Sequence, residues 1–592
     1  MSVIHDFIEA ARQDRPVYIC DVRDAFQREG ARPFHIHLAL YDGSVRRFAL
    51  RLPRAEDGEE RAFIEEYLNA TIYNALSALG ARMVSIYVDP ADAELLNYAS
   101  ALKDTFQVDL PLRARSGYGK CLNVNARTLK ALCDPKARFE CIVSDIAKEP
   151  AIPEQKKEPP AIPVFARLPK RAAHGLWMGM DIGGTDVKLA ASLDGRLRVF
   201  KEYDWNPAGF ATAEALIRPL LLLTRLMRAA VGMEAAGMGD AVPLSAFDRS
   251  ASDDGLLAAV QDMEAALGER LRGFDGIGLC FPDVVIRNRI VGGESQKTRG
   301  MRENAAADYE AEFAKITTLC DRLAEFVRPG GAVLNINDGP MAAFTTAVEQ
   351  AAAGRDLSGG FFAHSLGTDL GTGWILPDGS IPEIPLEVYN FIIDLGSGGQ
   401  RGQAIEDVRS VRNHNTGLPG SLQRYTSQSG AFRLAAKYLP QTAPKLFDEM
   451  LRRGMFAREG GRLTVPTAPA DMRKPCLEFL MDAARNPDSI CAEIFREIGE
   501  YLAVTWRETQ FILEPRCATR TLYGRLVKST ECFELMREGA RRILPDIKLE
   551  AADDAIAVTP LMKQLAAHPR YTVAQFAQAV GAIHYACTAR EA

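Results

Sequence analysis

Hydrophobic and polar positions after residue 173 follow two alternating patterns. "FDGIGLCFPDVVI" and "GGAVLNIND" are short apolar runs typical of buried strands. Between them, apolar residues recur every three or four positions, which predicts one buried helix face packed on a sheet: Tyr309, Phe313, Ile316, Leu319, Leu323 and Phe326. Strand and helix patterns that alternate in this way predict an α/β fold.

The N-terminal part has strand and helix patterns of its own. "FHIHLALYDGSVRRFALRL" predicts a hairpin that turns at Asp42-Gly43-Ser44, followed by a helix in "EERAFIEEYLNATIYNALSALG" and a strand in "RMVSIYVD". We therefore expect residues 1–146 to form a small separate α/β domain, whose role the pattern does not reveal. His35 and His37 lie on one strand face, but without a third ligand nearby a solvated or packed pair is favoured over a metal site.

The composition changes in residues 147–173, which are rich in Pro, Lys and Glu and contain "PAIP" twice. This composition predicts a semi-extended linker that forms no helix. Residues 174–592 would then form the main α/β region. Within that region, "MEAAGMGDAVPLSAFDRSASDDG" predicts a surface loop.

Charge and cysteine content exclude several classes of function. The 592 residues carry a net charge of −6, which provides no basic field for nucleic acid or for a membrane surface. Eleven cysteines without a CxxC pair indicate reduced thiols rather than a disulfide framework. The N-terminus lacks the apolar core of a signal peptide, and arginines interrupt the most apolar helix. We expect a soluble cytoplasmic protein that binds neither nucleic acid nor a membrane.

Two glycine turns between strand patterns are candidates for phosphate binding. The first, "DIGGTDVK", contains Asp181 and the run Gly183, Gly184 and Thr185. The second, "LGTDLGTGW", contains Gly367, Thr368 and Gly371. Glycines let backbone N–H groups approach phosphate oxygens, although a Gly-Gly pair is also a common hairpin turn. Neither turn matches a Walker A loop or a GxGxxG motif.

A candidate general base lies between the two turns. "VLNINDGPMAA" places Asn337 and Asp338 at the end of a buried strand, and a helix begins after Pro340. Ligands bind at the carboxyl ends of strands in α/β sheets, where an aspartate can accept a proton from a hydroxyl. The alternative is that Asp338 only caps the helix.

These pieces in this order resemble the sugar kinases of the actin, hexokinase and Hsp70 superfamily, and most closely the ROK group of kinases and repressors. "DIGGTDVK" resembles the first phosphate motif, "NINDGPMAA" the catalytic segment and "LGTDLGTGWILPDG" the second phosphate motif. "TRTLYGRLVKSTECFELM" is similar to the segment with the adenosine-side glycine. The resemblance implies a two-lobed actin/hexokinase-like (ribonuclease H-like) fold that binds ATP and Mg²⁺ and phosphorylates a sugar or small polyol.

The resemblance also implies a role for each matching residue. Asp181 would organise the magnesium ion, and Asp338 would be the general base. Asn337 would fix the sugar, and Gly524 would lie against adenosine. Phosphates would be held by the residues of the two turns: Gly183, Gly184, Thr185, Gly367, Thr368 and Gly371.

The sequence departs from the ROK pattern in three places. The GExGH segment is missing, so the sugar identity stays open. The zinc cysteines are replaced by His414, Thr416 and Ser421, so no structural zinc is expected, and Gln423 stands where the family has a sugar-binding glutamate. Asp369 replaces a glycine, and its carboxylate would repel polyphosphate unless magnesium or a lysine intervenes.

Two functions therefore stay open. Asp338 favours an ATP-dependent sugar kinase, whereas Asp369 and the missing sugar carboxylates favour a catalytically weakened nucleotide- or sugar-binding regulator. A repressor is disfavoured, because the N-terminal part has no convincing helix-turn-helix. The oligomeric state is also open, with a homodimer as one alternative.

Overall fold

The chain folds into two compact units in the computed structural model, which describes residues 2–107, 109–134, 136–151, 164–552 and 556–589. The first unit comprises Met1–Lys156, Ala363–Thr372 and Ile384–Ala552. The second unit comprises Lys157–Phe362, Gly373–Glu383 and Asp553–Ala592. Within the described ranges, no helix is both long enough and apolar enough to cross a bilayer.

The N-terminal segment forms a four-stranded sheet with helices. Its elements are α1 (Val3–Arg12), α2 (Ile19–Glu29), β1 (Arg32–Ala39), β2 (Val45–Leu52), α3 (Gly58–Leu79), β3 (Met83–Val88), α4 (Ala93–Phe106), α5 (Leu122–Leu132) and β4 (Glu140–Asp145). The strand order is β2-β1-β3-β4, and Gly43 makes the hairpin turn between β1 and β2 with a φ of 87°. His35 and His37 form a packed pair, because both rings contact the Glu149 carboxylate.

Residues 164–383 contribute most of the second unit. Their elements are α6 (Val164–Ala172), β5 (Leu176–Ile182), β6 (Asp186–Leu193), β7 (Arg196–Asp204), α7 (Ala213–Ala235), α8 (Asp253–Leu267), β8 (Phe274–Phe281), β9 (Val285–Ile286), β10 (Arg289–Ile290), α9 (Arg299–Glu303), α10 (Tyr309–Thr317), α11 (Leu319–Leu323), β11 (Val327–Asn337), α12 (Asp338–Ala352), β12 (Phe361–Leu366) and β13 (Leu370–Ile375). One five-stranded sheet has the order β11-β8-β5-β6-β7. The strands β5, β6 and β7 are antiparallel, whereas β8 and β11 continue the sheet parallel to β5.

The rest of the chain completes both units. Its elements are α13 (Gly398–Arg401), α14 (Ser427–Thr442), α15 (Pro444–Arg452), β14 (Ala457–Glu459), β15 (Arg462–Thr464), α16 (Arg473–Ala483), α17 (Ile490–Leu513), β16 (Arg520–Tyr523), α18 (Arg525–Lys528), α19 (Thr530–Ile543), β17 (Leu549–Ala551), α20 (Pro560–Ala566) and α21 (Val573–Ala586). A second four-stranded sheet has the order β13-β12-β16-β17. The α21 helix packs so closely on β5 that a side chain at Gly179 would collide with the Ala579 carbonyl oxygen. The mixed α/β class is thus confirmed.

The structure does not confirm residues 1–146 as a separate domain, because buried polar contacts join them to later parts of the first unit. The Arg23 guanidinium pairs with Glu508 at 2.6 Å, with side chains only 7% and 0% exposed. The Asn74 amide donates to the Ile392 carbonyl at 2.9 Å and accepts from the Ile392 N–H at 2.7 Å. The predicted region of residues 174–592 is likewise divided between the two units.

The linker prediction for residues 147–173 is wrong at its C-terminal end. Val164–Ala172 forms the helix α6, in which Leu168 and Ala172 are buried. The Phe165 ring lies against the Phe344 ring of α12, with centroids 5.9 Å apart. Apolar burial on one helix face therefore stabilises a segment whose Pro and Lys content predicted no helix. Residues 152–163 of the predicted linker lie outside the described residues.

Candidate functional site

In the second unit, the carboxyl ends of three parallel strands bring the first group of candidate residues together. Asp181 near the end of β5 is in register with Cys280 of β8, which is in register with Ile336 of β11. Neighbouring strands lie about 4.8 Å apart, so the residues that follow these strands share one edge of the sheet. Asn337 and Asp338 come directly after Ile336 at that edge.

Two hydrogen bonds fix the backbone of the first glycine turn at Gly183. The Gly183 N–H donates to the Asp186 carbonyl at 2.8 Å, and the indole N–H of Trp205 donates to the Gly183 carbonyl at 3.0 Å. A Cβ at Gly183 would lie 2.7 Å from the Asp186 carbonyl oxygen, so this turn requires glycine. Gly184 and Thr185 are exposed and leave a bare backbone that an anion can approach.

Asp181 is a carboxylate in an acidic environment. Burial raises the pKa of Asp181 to about 6, and the charges of Asp338 and Asp186 act in the same direction. A hydrogen bond from the Cys280 thiol, with Sγ 3.2 Å from Oδ1, and the Lys188 charge oppose this shift. Like charges this close favour protonation of one group unless a cation joins them.

The carboxylate oxygens of Asp181 fit a magnesium ion that is bound together with phosphates. Magnesium prefers oxygen ligands and is usually held by one or two carboxylates plus substrate phosphates rather than by a cage of protein ligands. Among the described residues, no cluster of three or more His, Cys, Asp or Glu side chains has metal-binding geometry. Asp181 beside the exposed Gly184 and Thr185 offers the carboxylate and the phosphate surface that such a site needs.

The start of α12 shows that Asp338 is not the helix cap. Asn337 is the N-cap residue, and its amide oxygen accepts from the Gly339 N–H at 2.9 Å. The Asn337 amide nitrogen donates to the Asp283 carbonyl at 2.8 Å, which orients the amide. Asp338 is the first helical residue, and its carboxylate also accepts from the Gly339 N–H at 3.0 Å, but Asn337 occupies the cap position.

Burial raises the pKa of Asp338, and the positive charge of Lys297 is the main opposing influence. Lys297 also lies beside the first glycine turn, since a Cβ at Gly184 would be 3.4 Å from its Cε atom. Sequence reasoning missed Lys297, because the segment "GGESQKTRG" matches none of the motifs used. The structure thus adds a cation to the group formed by Asp181, Gly184 and Asp338.

The first unit contains the second glycine turn and Gly524. The Gly367 N–H donates to the Asp369 carbonyl at 3.1 Å and closes the turn between β12 and β13. Thr368 is exposed, and Gly371 is the second residue of β13. Gly524 has a φ of 106°, and a Cβ there would lie 2.4 Å from the Leu366 carbonyl oxygen. The backbone after β16 therefore passes directly against the end of β12.

Asp369 lies within electrostatic reach of two arginines that sequence reasoning did not connect with it. Burial lowers the pKa of Arg424 to about 10, and the Asp369 charge opposes this shift. The hydrogen bond with Asp471 is the main cause that raises the pKa of Arg473, and the Asp369 charge adds to it. The expected repulsion between Asp369 and polyphosphate is therefore offset by protein cations in the same unit. A glycine-to-aspartate change in this turn does not by itself indicate lost phosphate binding.

The segment that contains His414, Thr416, Ser421 and Gln423 is held by hydrogen bonds. The Gln423 side-chain oxygen accepts from the His414 N–H at 2.9 Å, and the Ser421 hydroxyl contacts the Asn413 amide at 3.0 Å. The Thr416 hydroxyl accepts from the Leu418 N–H. Gln423 is 4% exposed, and this hydrogen bond through its side-chain oxygen fixes the amide within the loop.

We predict that purified protein carries no stoichiometric zinc. The segment offers one imidazole, that of His414, and no thiolate, and such a site is too weak for structural zinc. Elemental analysis should find less than one zinc per chain, and thermal unfolding should be the same with and without a chelator. One tightly bound zinc per chain would contradict this prediction.

Solved structures that are similar to this chain include sugar kinases. A ROK family glucokinase from Streptomyces griseus, in complex with glucose and AMPPNP, is 17% identical with a TM-score of 0.38, over 70% of this chain and 100% of that one. The ROK hexokinase from Thermus thermophilus is 16% identical with a TM-score of 0.36, over 70% and 98%. The glucokinase from Balamuthia mandrillaris, in complex with glucose, is 13% identical with a TM-score of 0.39, over 73% and 100%. No protein-family model and no curated protein matches the chain. Identities and TM-scores this low leave the function to be decided by the residues of this chain.

Proposed function

We propose that this protein is an ATP-dependent kinase that phosphorylates a hydroxyl group of a sugar or a related small polyol. The observation that carries the proposal is one edge of the second unit's sheet. Asp181 lies near the end of β5, the bare Gly183-Gly184 turn follows β5, and Asp338 follows the parallel strand β11. This group combines a magnesium carboxylate, a phosphate surface and a candidate base, which are the parts that phosphoryl transfer requires.

The topology supports a ribonuclease H-like lobe of the actin/hexokinase type. Three antiparallel strands, β5 to β7, are continued by two parallel strands, β8 and β11, and α21 covers one face. The other glycine turn and Gly524 belong to the sheet of the first unit. We assign Gly367, Thr368 and Gly371 to phosphate binding and Gly524 to the adenosine side of the nucleotide.

Asp338 would act as the general base of the transfer. Its carboxylate accepts the proton of the acceptor hydroxyl while that oxygen bonds to the γ-phosphorus of ATP and the bond to ADP breaks. Asn337 keeps the end of β11 in place through its two backbone contacts, and one amide N–H is left for the acceptor. Magnesium, when bound at Asp181, would neutralise phosphate charge.

We expect Gly184→Val to abolish tight Mg-ATP binding, because the added side chain would occupy the surface that a phosphate needs. Isothermal calorimetry of wild type and variant with Mg-ATP measures the effect. Gly209→Val is the matched control: Gly209 is an exposed glycine of the same unit, where a Cβ would lie 3.6 Å from Asn206. Wild-type protein that shows no heat and no thermal stabilisation at millimolar Mg-ATP would refute the proposed function.

The alternative function is a nucleotide- or sugar-binding regulator with weak catalysis. It is favoured by Gln423, which stands where a sugar-binding carboxylate is expected and has its side-chain oxygen bound to the His414 N–H. ATP consumption against a panel of hexoses, amino sugars and polyols separates the two. Mg-ATP binding without turnover on the whole panel would support the regulator.

A further inference from the structure

The second unit contains a lysine that the proposed roles leave unused. Lys297 lies on a segment between β10 and α9, which we call the lysine loop (residues 292–298). Among the residues that the structure describes, the Lys297 amine forms no hydrogen bond and no ion pair. Its charge is nevertheless close enough to Asp338 to act against the raised pKa of that carboxyl group. A lysine beside carboxylates without an ion pair is available to bind an anion.

The backbone of the lysine loop is held by two side chains, the partly buried Arg302 and the buried Tyr309. Arg302 donates to the Gly293 carbonyl at 3.2 Å and to the Ser295 carbonyl at 3.0 Å. The Tyr309 hydroxyl donates to the same Gly293 carbonyl at 2.5 Å and lies 3.1 Å from the hydroxyl of the fully buried Thr298. The backbone from which the lysine side chain extends is therefore held by hydrogen bonds to its carbonyl groups.

The Lys297 side chain lies near the proposed phosphate surface and near the proposed general base. On one side, its Cε atom lies 3.4 Å from the place of a Cβ on Gly184, the exposed glycine of the first phosphate turn. On the other side, the lysine charge acts on Asp338, which would hold the acceptor hydroxyl. The phosphoryl group must pass between these two points during an in-line transfer.

We infer that the Lys297 ammonium binds the phosphoryl group in transfer, as a catalytic residue that adds to the proposed kinase function and rests on it. In this step the bond between the γ-phosphorus and the ADP oxygen breaks, and the acceptor oxygen bonds to phosphorus. The hydroxyl proton moves to Asp338, and Lys297 keeps its protons throughout. A fixed cation at this point stabilises negative charge on the equatorial oxygens without reorganisation.

A purely structural lysine would act differently. If Lys297 only balanced the Asp338 charge, its removal would change the pH profile and the stability, but it would affect ATP and ADP binding equally. A lysine that contacts the γ-phosphate discriminates between these nucleotides, because ADP lacks that group. The ratio of the two dissociation constants therefore separates the two roles.

The test compares wild type, Lys297→Met, Lys297→Arg and the control Lys315→Met, whose exposed lysine pairs with Glu312 on α10. Calorimetry with Mg-ATP and Mg-ADP should show ATP affinity reduced about tenfold or more in Lys297→Met, with ADP affinity nearly unchanged. With an acceptor that wild-type protein phosphorylates, turnover of Lys297→Met should fall about 10²- to 10³-fold, and Lys297→Arg should recover part of this loss. Circular dichroism verifies that each variant is folded.

The outcomes distinguish this inference from the proposed function. If wild type binds Mg-ATP and phosphorylates an acceptor while Lys297→Met has an unchanged ATP-to-ADP affinity ratio, the lysine inference is wrong and the kinase function stands. If wild type binds neither nucleotide, both are wrong. If wild type binds nucleotide but phosphorylates nothing, a selective loss of ATP affinity in Lys297→Met still supports the γ-phosphate contact.

Discussion

Asp338→Asn should lower turnover by about 10²- to 10⁴-fold, the usual contribution of a general base, while Mg-ATP affinity barely changes. The amide keeps the size of the side chain but cannot take the hydroxyl proton. Because Asn337 already caps α12, the substitution should leave the fold intact. Steady-state kinetics with an acceptor that wild type phosphorylates, together with ATP calorimetry, measures both effects.

The pH profile gives a second measurement of the same base. Burial raises the pKa of Asp338 above its ordinary value, and the base works only when deprotonated. Turnover should therefore be lost as the pH falls through this raised pKa. Asp356→Asn, in the exposed loop after α12, is the matched control and should change neither turnover nor Mg-ATP affinity. Full turnover in Asp338→Asn would show that the proton leaves by another route.

Glu508→Ala should destabilise the first unit by about 3 to 5 kcal/mol, because it leaves the Arg23 guanidinium buried without its partner. Arg23 also lies over the Phe511 ring at 3.9 Å and cannot easily reach water. Urea unfolding measured by circular dichroism gives the loss, and hydrogen exchange should show faster exchange in α2 and α17.

Glu59→Ala is the control for this prediction, since it removes a carboxylate paired with Arg12 where both side chains are 53% exposed. Exposed pairs are worth about 1 kcal/mol or less, so the loss should be much smaller. Equal stability of Glu508→Ala and wild type would mean that the N-terminal segment is not held to α17 by this pair.

Local patterns predicted many of the elements correctly. The turn residues Asp42-Gly43-Ser44 and the alternation of apolar and polar residues on either side of them correctly predicted the β1–β2 hairpin. Both signals depend only on residues that are neighbours in the sequence. The apolar spacing between Tyr309 and Phe326 gave a buried helical face, but the structure divides it into α10 and α11. Periodicity defines the buried face of a segment, whereas a break depends on what packs against it.

Long-range contacts explain the errors in domain organisation. Residues 1–146 resemble an independent domain in sequence, yet Arg23 finds its counter-ion 485 residues further along the chain. The α6 helix lies in a segment rich in Pro and Lys, and burial of Leu168 stabilises it. Neither partner is visible in the local pattern, so the composition of a segment does not decide where a domain ends.

The sequence by itself determined the candidate chemistry: bare glycine turns, a carboxylate before the first of them and an aspartate after a buried strand. These features depend on residue type and short spacing. Only the tertiary structure decided which charges surround them. It placed Lys297 beside Gly184 and Asp338, brought Arg424 and Arg473 within electrostatic reach of Asp369, and made Asn337 the helix cap. The physical reason is that charge and desolvation act through space, and the chain brings distant residues together only when it folds.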